Sequence, residues 1–469
     1  MSVVHHLPPG WLLDHLSFIN KINYQLHQHQ APSCSKNKPT SSTSLSSLQM
    51  DALFPLEAPA ACFAPDCSTG SGSEDGESFE MSIQKYVFRP ELFNVTKPYI
   101  TSALHRECQQ SNKNENLVTG NKQEFSVSIG KKRKRCMAFN QGELDAMEYH
   151  RKIRELILDG SSKLIQEGLK SGFLYPLVEK QDGNRGHITL PLDACNLPEL
   201  CEMAKHLPSL NEMELQTLQL KEDVMCVTEL DLSSQVIENN SSFSKMITLM
   251  GQKYLVPPKS SFLLSDISCM QPLLNCNRTF DVIVIDPPWE NKSVKRSSRY
   301  SCLSPQQIKR IPVPKLAVAD CLVVTWVTNR QKHLRFVKEE LYPSWSVEVI
   351  AEWYWVKITH SGEFVFPLDS PHKKPYECLV LGRIREKTAL ALRSTDVPPV
   401  PDQKLVVSVP CVLHSHKPPL AEVLKDYIKP GGQCLELFAR NLQPGWMSWG
   451  NEVLKFQHVD YFIALESGC

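Results

Sequence analysis

Beyond residue 255 the chain alternates short, almost wholly apolar runs with longer polar or mixed stretches. The runs at 280–285, 321–327, 347–358, 377–384 and 434–438 are of strand length. Strands buried on both faces read this way, which predicts an α/β sheet with helical crossovers. Upstream the period changes. Leu144, Met147, Ile153, Leu156, Ile157, Leu164, Ile165 and Leu169 form an i, i+3/i+4 stripe, which predicts helix with an interruption at Gly160. Leu200, Met203, Leu207, Leu210, Met213 and Leu218 predict a second helical region, broken at Pro208.

These patterns divide the chain. Residues 1–85 read as a partly disordered N-terminal arm, because SSTSLSS at 41–47 and TGSGSEDGES at 69–78 bury too little apolar surface to offset chain entropy. Within the arm, Trp11, Leu12, Leu16 and Ile19 fit one short amphipathic helix. Residues 86–140 form a linker, 141–250 a mainly helical accessory domain without evident chemistry, and 255–469 the domain that carries the chemistry. No internal repeat is present.

Composition narrows the class. Lys plus Arg and Asp plus Glu are 51 each in 469 residues, so histone-like binding through a global basic excess is excluded. Cations are instead concentrated locally. KKRKR at 131–135 has to be exposed, and it fits a nuclear-import patch or a phosphate-binding tail, with a merely solvated run as the alternative. The nucleus is the expected location; cytoplasm and mitochondrion stay open. The 16 cysteines are scattered. Neither Cys62/Cys67 nor Cys195/Cys201 is followed by a partner pair at zinc spacing, so free thiols and no metal are expected. No apolar run nears the ~18 residues that span a bilayer, so no membrane partner is expected. The opening segment lacks the basic start of a secretory signal, and the first arginine is Arg89.

One string carries chemistry. FDVIVIDPPWEN, residues 280–291, is an apolar strand that ends abruptly in Asp286-Pro287-Pro288-Trp289. Ligands of open α/β sheets bind outside the carboxyl ends of strands, where this tetrad would lie. An exocyclic aromatic amine is a poor nucleophile because its lone pair is delocalised into the ring. The Asp286 carboxylate and the Pro287 carbonyl can accept its two N–H bonds and favour an sp³-like nitrogen. The prolines fix the turn, and Trp289 offers a face for a purine. Positioning and electrostatics then supply most of the catalysis. The plainer alternative is an Asp-Pro-Pro turn with Trp289 capping a core.

The tetrad, with LHSHKP at 413–418, LELFAR at 435–440 and SWGNE at 448–452, resembles the MT-A70 family of adenine-N6 methyltransferases. The resemblance covers about residues 255–469. It implies a class I, Rossmann-like methyltransferase fold in permuted motif order that uses S-adenosyl-L-methionine. Asp286, Pro287, Pro288 and Trp289 then form the catalytic tetrad, with Asp286 also near the methionine end of the cofactor. Asp266 and Ile267 match the contact to the cofactor adenine. His416 and Lys417 match positions facing the methionine carboxylate. Arg440, Asn441, Asn451 and Glu452 match contacts to the ribose and adenine edge. The lesser alternatives, demoted by the joint occurrence of the motifs in family order, are Lys417 as a solvated turn cation, Asn451 as a plain turn pair with Gly450 and Arg440 as a structural ion pair. The turn after Phe438 lacks the glycines common in class I methyltransferases, so side chains are expected to do more of the holding.

Asn291, Lys292, Lys295, Arg296, Arg299 and Tyr300 follow the tetrad and suit substrate phosphates and base stacking. A second basic loop occupies 371–375, where the family places a gating loop. Trp353 and Trp355 fall on one face of the preceding strand. Core packing is an equal reading for Trp353, while Trp355 and Lys357 match a family position near the substrate. A target base has to be single-stranded or flipped out to reach such a pocket. The expected substrate is adenosine in RNA, an internal 2′-O-methyladenosine of small nuclear RNA among the family's cases. DNA, a non-catalytic RNA-binding partner subunit and a side-chain amide methyltransferase are the alternatives. The N-terminal half is open to a protein partner.

Overall fold

A computed structural model describes residues 2–28, 82–100, 141–176, 216–220, 235–267, 271–275, 277–290, 302–370, 373–385 and 397–465. In chain order the strands are β1 (Val3–Leu7), β2 (Gly10–Leu13), β3 (Tyr24–Gln28), β4 (Ser82–Phe88), β5 (Gln216–Gln219), β6 (Gln235–Asn239), β7 (Lys245–Leu249), β8 (Gln252–Val256) and β9 (Ser260–Leu264). They continue with β10 (Phe280–Ile285), β11 (Ala317–Val327), β12 (Val347–Lys357), β13 (Tyr376–Ile384), β14 (Leu405–Ser408), β15 (Cys434–Leu437), β16 (Trp446–Gly450) and β17 (Phe462–Leu465).

Twelve strands make one sheet in the order β1-β2-β14-β12-β13-β11-β10-β15-β16-β9-β6-β5. Most neighbours are parallel: β2/β14, β14/β12, β11/β10, β10/β15, β15/β16, β16/β9 and β5/β6. The antiparallel strand β13 separates β11 from β12, which therefore point the same way. Eight strands thus end on one edge of the sheet. The centre is apolar on both sides, as the runs predict. Ile283 and Ile285 of β10 face one core with Val323 and Val327. Val282 and Val284 face the other with Leu322, Val324 and Trp326.

Two expectations are corrected. Residues 2–28 are not a loose arm: β2 pairs in parallel with β14 and extends the central sheet, and β3 joins β4 and β17 in a second one. Their apolar residues Trp11, Leu12, Leu13 and Ile19 are buried, which offsets the entropy cost of ordering the segment. The short helix expected around Trp11–Ile19 is His15–Lys21, capped by Asp14, whose carboxylate accepts from the Ser17 N–H at 3.0 Å. Nor does 141–250 form a helical domain among the described residues. One helix, Gln141–Lys170, runs through Gly160 without a break and packs across β1, β2 and β14. A β-carbon at Gly160 would lie 2.5 Å from the Leu405 side chain and 3.1 Å from Pro9, so the glycine serves close helix–sheet approach. Past this helix come β5, β6 and β7, of which β5 and β6 extend the sheet. The second helical region lies outside the described residues except Leu218, which is in β5. Residues 29–81 of the arm, KKRKR and the paired cysteines also lie outside them.

Candidate active site

The apolar run of β10 stops at Asp286, at the edge where the parallel strands end. Ile285 pairs with Leu437 of β15, and the Asp286 N–H donates to the Leu437 carbonyl at 3.3 Å. Phe438 then turns with φ 60°, a left-handed conformation that redirects the chain. Gly450 closes β16 against this turn: a β-carbon there would stand 3.2 Å from the Ala439 carbonyl oxygen. The residues after β10, β15, β16 and β9 therefore share one rim. That rim gathers Asp286, Arg440, Asn441, Asn451, Glu452 and Asp266.

Charge at the rim is ordered. Arg440 donates from Nη1 to Asp286 at 2.6 Å and from Nε to Glu452 at 2.9 Å. Glu452 also pairs with Lys455 at 3.0 Å. On the other side Lys417 stands 3.8 Å from Asp286 and contacts Glu377, which in turn pairs with Lys357. Four cations and three anions thus alternate from Lys357 to Lys455, with Asp286 in the middle. Burial pushes the Glu377 carboxyl up, but the Lys417 and Lys357 ammonium groups pull it well below the carboxylate range. Burial likewise raises Glu452, and Arg440 and Lys455 outweigh it, leaving it lowered. Burial draws Lys417 and Arg440 down, and their carboxylate partners, Asp286 foremost, raise both above their ordinary values. The chain is a buried ionic array with each charge compensated, which is the condition for keeping charge in a low-dielectric site.

The tetrad is held as rigidly. The Pro287 carbonyl accepts from the Trp289 N–H at 2.8 Å and keeps a second lone pair. Trp289 is buried, and its Nε1–H donates to the Trp326 carbonyl at 3.0 Å. His333 stacks on it at 4.7 Å and 16°. The face expected to receive a purine is therefore covered on one side, and Trp289 anchors the turn in the core. His416 also differs from the expectation. It is buried, stacked 4.0 Å from Phe456 and edge-on to His15 at 4.6 Å. Burial, aided by His15 and Lys455, keeps it neutral, so the cation on this loop is Lys417 alone. Ile267 is buried in the core, and Asp266 is partly exposed at the end of β9.

Trp355 and Lys357 do reach the site. Trp355 is buried, its Nε1–H donates to Ser408 Oγ at 2.9 Å, and Lys357 Nζ lies 4.3 Å over its ring. Trp353 is core: it packs against Trp11 at 5.0 Å and donates to the Pro401 carbonyl at 2.7 Å. Asn291, Lys292, Lys295, Arg296, Arg299 and Tyr300 lie outside the described residues. Sequence reasoning missed Glu377 and Glu436. An acid placed in the otherwise apolar run of β13 was the available signal for the first. Glu436 sits inside the apolar run of β15, where burial and the neighbouring Asp286 push its carboxyl up to about 7, with Gln443 donating to it at 3.2 Å. Among the described residues no group of three or more His, Cys, Asp or Glu is placed to hold a metal, and no helix is long and apolar enough to cross a membrane.

The comparisons agree with this geometry. A family model described as MT-A70 matches residues 280–452, from the start of β10 to Glu452. The chain is 83% identical over 471 residues to the N(6)-adenine-specific methyltransferase METTL4 of Mus musculus, covering 100% of both. It is 35% identical over 225 residues to the N6-methyladenosine RNA methyltransferase MTA1 of Pyricularia oryzae, covering 46% of this chain and 58% of that one. It is 34% identical over 216 residues to the DNA N6-methyl methyltransferase of Caenorhabditis elegans, covering 45% and 56%. With the tetrad at the carboxyl end of a central parallel strand and a relative matched along its whole length, the chain belongs to the MT-A70 family of adenine-N6 methyltransferases.

Proposed function

We propose that this methyltransferase uses S-adenosyl-L-methionine to methylate the N6 amine of adenosine in RNA, within a class I sheet of permuted motif order. The observation that carries the reading is Asp286, held between Arg440 and Lys417 at the rim where the parallel strands end. The donor set fits the cofactor. Lys417 suits its carboxylate, and the carboxylates of Asp286 and Glu436 suit its ammonium and sulfonium. Asn441, Asn451, Glu452 and Asp266 suit the ribose hydroxyls and adenine edge. Gln443 lines the same cleft as Lys417 and Glu436, and its buried Oε1 has no hydrogen-bond partner.

When bound, the cofactor supplies a methyl group on a sulfonium, already activated for transfer. The protein's task is then to present the amine. Asp286 accepts one N–H and the free lone pair of the Pro287 carbonyl the other, which turns the nitrogen lone pair out of conjugation. Arg440 and Lys417 keep the carboxylate aimed while it does so. The buried Trp289 keeps the Pro287–Pro288 turn from yielding. KKRKR supports nuclear residence for the same activity.

The test offers the purified chain labelled cofactor with matched single-stranded RNA, RNA bearing one 2′-O-methyladenosine, and DNA. The products are digested to nucleosides and identified by mass. N6-methyladenosine from RNA, or its 2′-O-methyl form, is expected. Label confined to the DNA would move the substrate to DNA, and label in protein alone would overturn the reading.

A further inference from the structure

We propose that the turn between β11 and the helix Gln331–Arg335 is a phosphate-contact site for the nucleic-acid strand, with Arg330 and Lys332 as its cations; this rests on the nucleic-acid reading above. In the sheet, β11 lies between β10 and β13. Its carboxyl end therefore sits between the tetrad on one side and the Lys373–Glu377 approach on the other. The turn is tied to both. Asn329 donates from Nδ2 to the Tyr376 carbonyl at 2.6 Å, and Arg330 from Nη1 to the Glu290 carbonyl at 3.4 Å.

The turn is also fixed from beneath. Its His333 stacks on Trp289 and shares a hydrogen bond of 2.8 Å between Nδ1 and Thr328 Oγ1. Gln331 and His333 are buried while Arg330 and Lys332 are exposed, so the alternation turns both cations outward from a base that cannot shift without moving the tetrad. Burial, then Arg330 and Lys332, bring the His333 imidazole down to about 4, in keeping with both charges standing close above it.

Among the described residues the fold gives these two cations no carboxylate partner. Of the four from 330 to 338, Arg335 pairs with Asp145 and Lys338 with Glu352. Among the described residues, Arg330 and Lys332 make no ion pair. Lys373, on the approach to β13, also makes none among them, with its Nζ 5.3 Å over Phe366. A base turned into the pocket leaves its flanking phosphates at the mouth. A guanidinium and an ammonium at that mouth match two phosphodiester groups. The chemistry is that of a polyanionic backbone and does not by itself distinguish RNA from DNA.

The experiment uses the full chain and a fluorescein-labelled single-stranded oligoribonucleotide with one central adenosine. Affinity is read by anisotropy over a range of salt concentrations. The variants are Lys332→Gln and the double change Arg330→Gln with Lys332→Gln. Each lost phosphate contact should flatten the log–log salt slope by about 0.7, so the double variant loses roughly 1.4. Cofactor affinity, unchanged, reports an intact fold. A second oligonucleotide carries neutral methylphosphonates on both sides of the adenosine. The wild-type chain should bind it as weakly as the double variant binds the natural strand, and the double variant should lose nothing further. A wild-type slope in both variants, with methylation retained, overturns the assignment and leaves the enzyme reading standing. A wild-type chain that neither binds nor methylates any oligonucleotide overturns both.

Discussion

Arg440 grips Asp286 at 2.6 Å from the neighbouring strand's exit. The pairing follows from the sheet: Ile285 and Leu437 are in register, so the turns after β10 and β15 leave side by side. The same guanidinium reaches Glu452 at 2.9 Å, so one side chain fixes two carboxylates on the rim. A rigid planar fork fixes both directions at once, which an ammonium on a flexible stem does not.

Arg440→Lys should therefore be a severe change despite keeping the charge. We expect kcat/KM for methyl transfer to fall about tenfold or more, the ~1.4 kcal/mol that one charge-assisted hydrogen bond carries. Steady-state kinetics measure it. Wild-type kcat/KM would mean that the fork has no part in holding Asp286.

Glu436 gives the fold a pH dependence of definite sign. Its folded pKa of about 7 lies above that of an unfolded glutamate. The folded state thus holds a proton that the unfolded state has released, and the associated stability is lost as pH rises from about 4.5 to 7. Glu436→Gln should be more stable than wild type at pH 8, by up to about 3 kcal/mol, with little gain at pH 4.5. Urea midpoints at the two pH values decide it. An equal difference at both would show that Glu436 does not titrate there.

The neighbours His416 and Lys417 should behave oppositely. His416→Phe keeps an aromatic ring against Phe456 and His15, and it should leave cofactor affinity within about threefold. Lys417→Met removes the cation shared by Asp286 and Glu377, leaving each carboxylate with one partner and the cofactor carboxylate without its ammonium, so affinity should fall more than tenfold. Calorimetric titration with S-adenosyl-L-methionine separates them. A large loss in His416→Phe would return the imidazole to the binding set.

Gly10 tests the incorporation of the N-terminal strand. Its φ is +150°, and a β-carbon there would lie 1.9 Å from the Leu405 carbonyl oxygen. Gly10→Ala should break the β2–β14 pairing and cost several kcal/mol, within the range of backbone strain and lost packing. Thermal unfolding shows it. An unchanged melting temperature would mean that β2 is dispensable to the sheet.

The sequence was most legible where burial on both faces forces continuous apolar runs: β10, β11, β12, β13 and β15 all lie within a few residues of the predicted spans. The site motifs were legible because the tetrad and the LELFAR and SWGNE strings sit at strand ends. Less could be read where distant partners decide the outcome. β2 is four residues long and joins the central sheet only against β14, almost four hundred residues away. Gly160 looks like a helix breaker until Leu405 is seen beside it. Trp289 has the composition of a stacking platform, and His333 shows that it is an anchor. The alternating charges from Lys357 to Lys455 come from six separate segments, so no local pattern announces them.

The most direct test of the account compares wild type with Asp286→Asn, measuring methyl transfer to adenosine and cofactor affinity on the same preparations. Asparagine keeps the size of Asp286 but removes the charge that accepts the amine N–H. Transfer at saturating cofactor should fall at least a hundredfold, the scale of losing an electrostatic catalytic group, in a chain that stays folded and binds S-adenosyl-L-methionine more weakly. Transfer at the wild-type rate by Asp286→Asn would contradict the account.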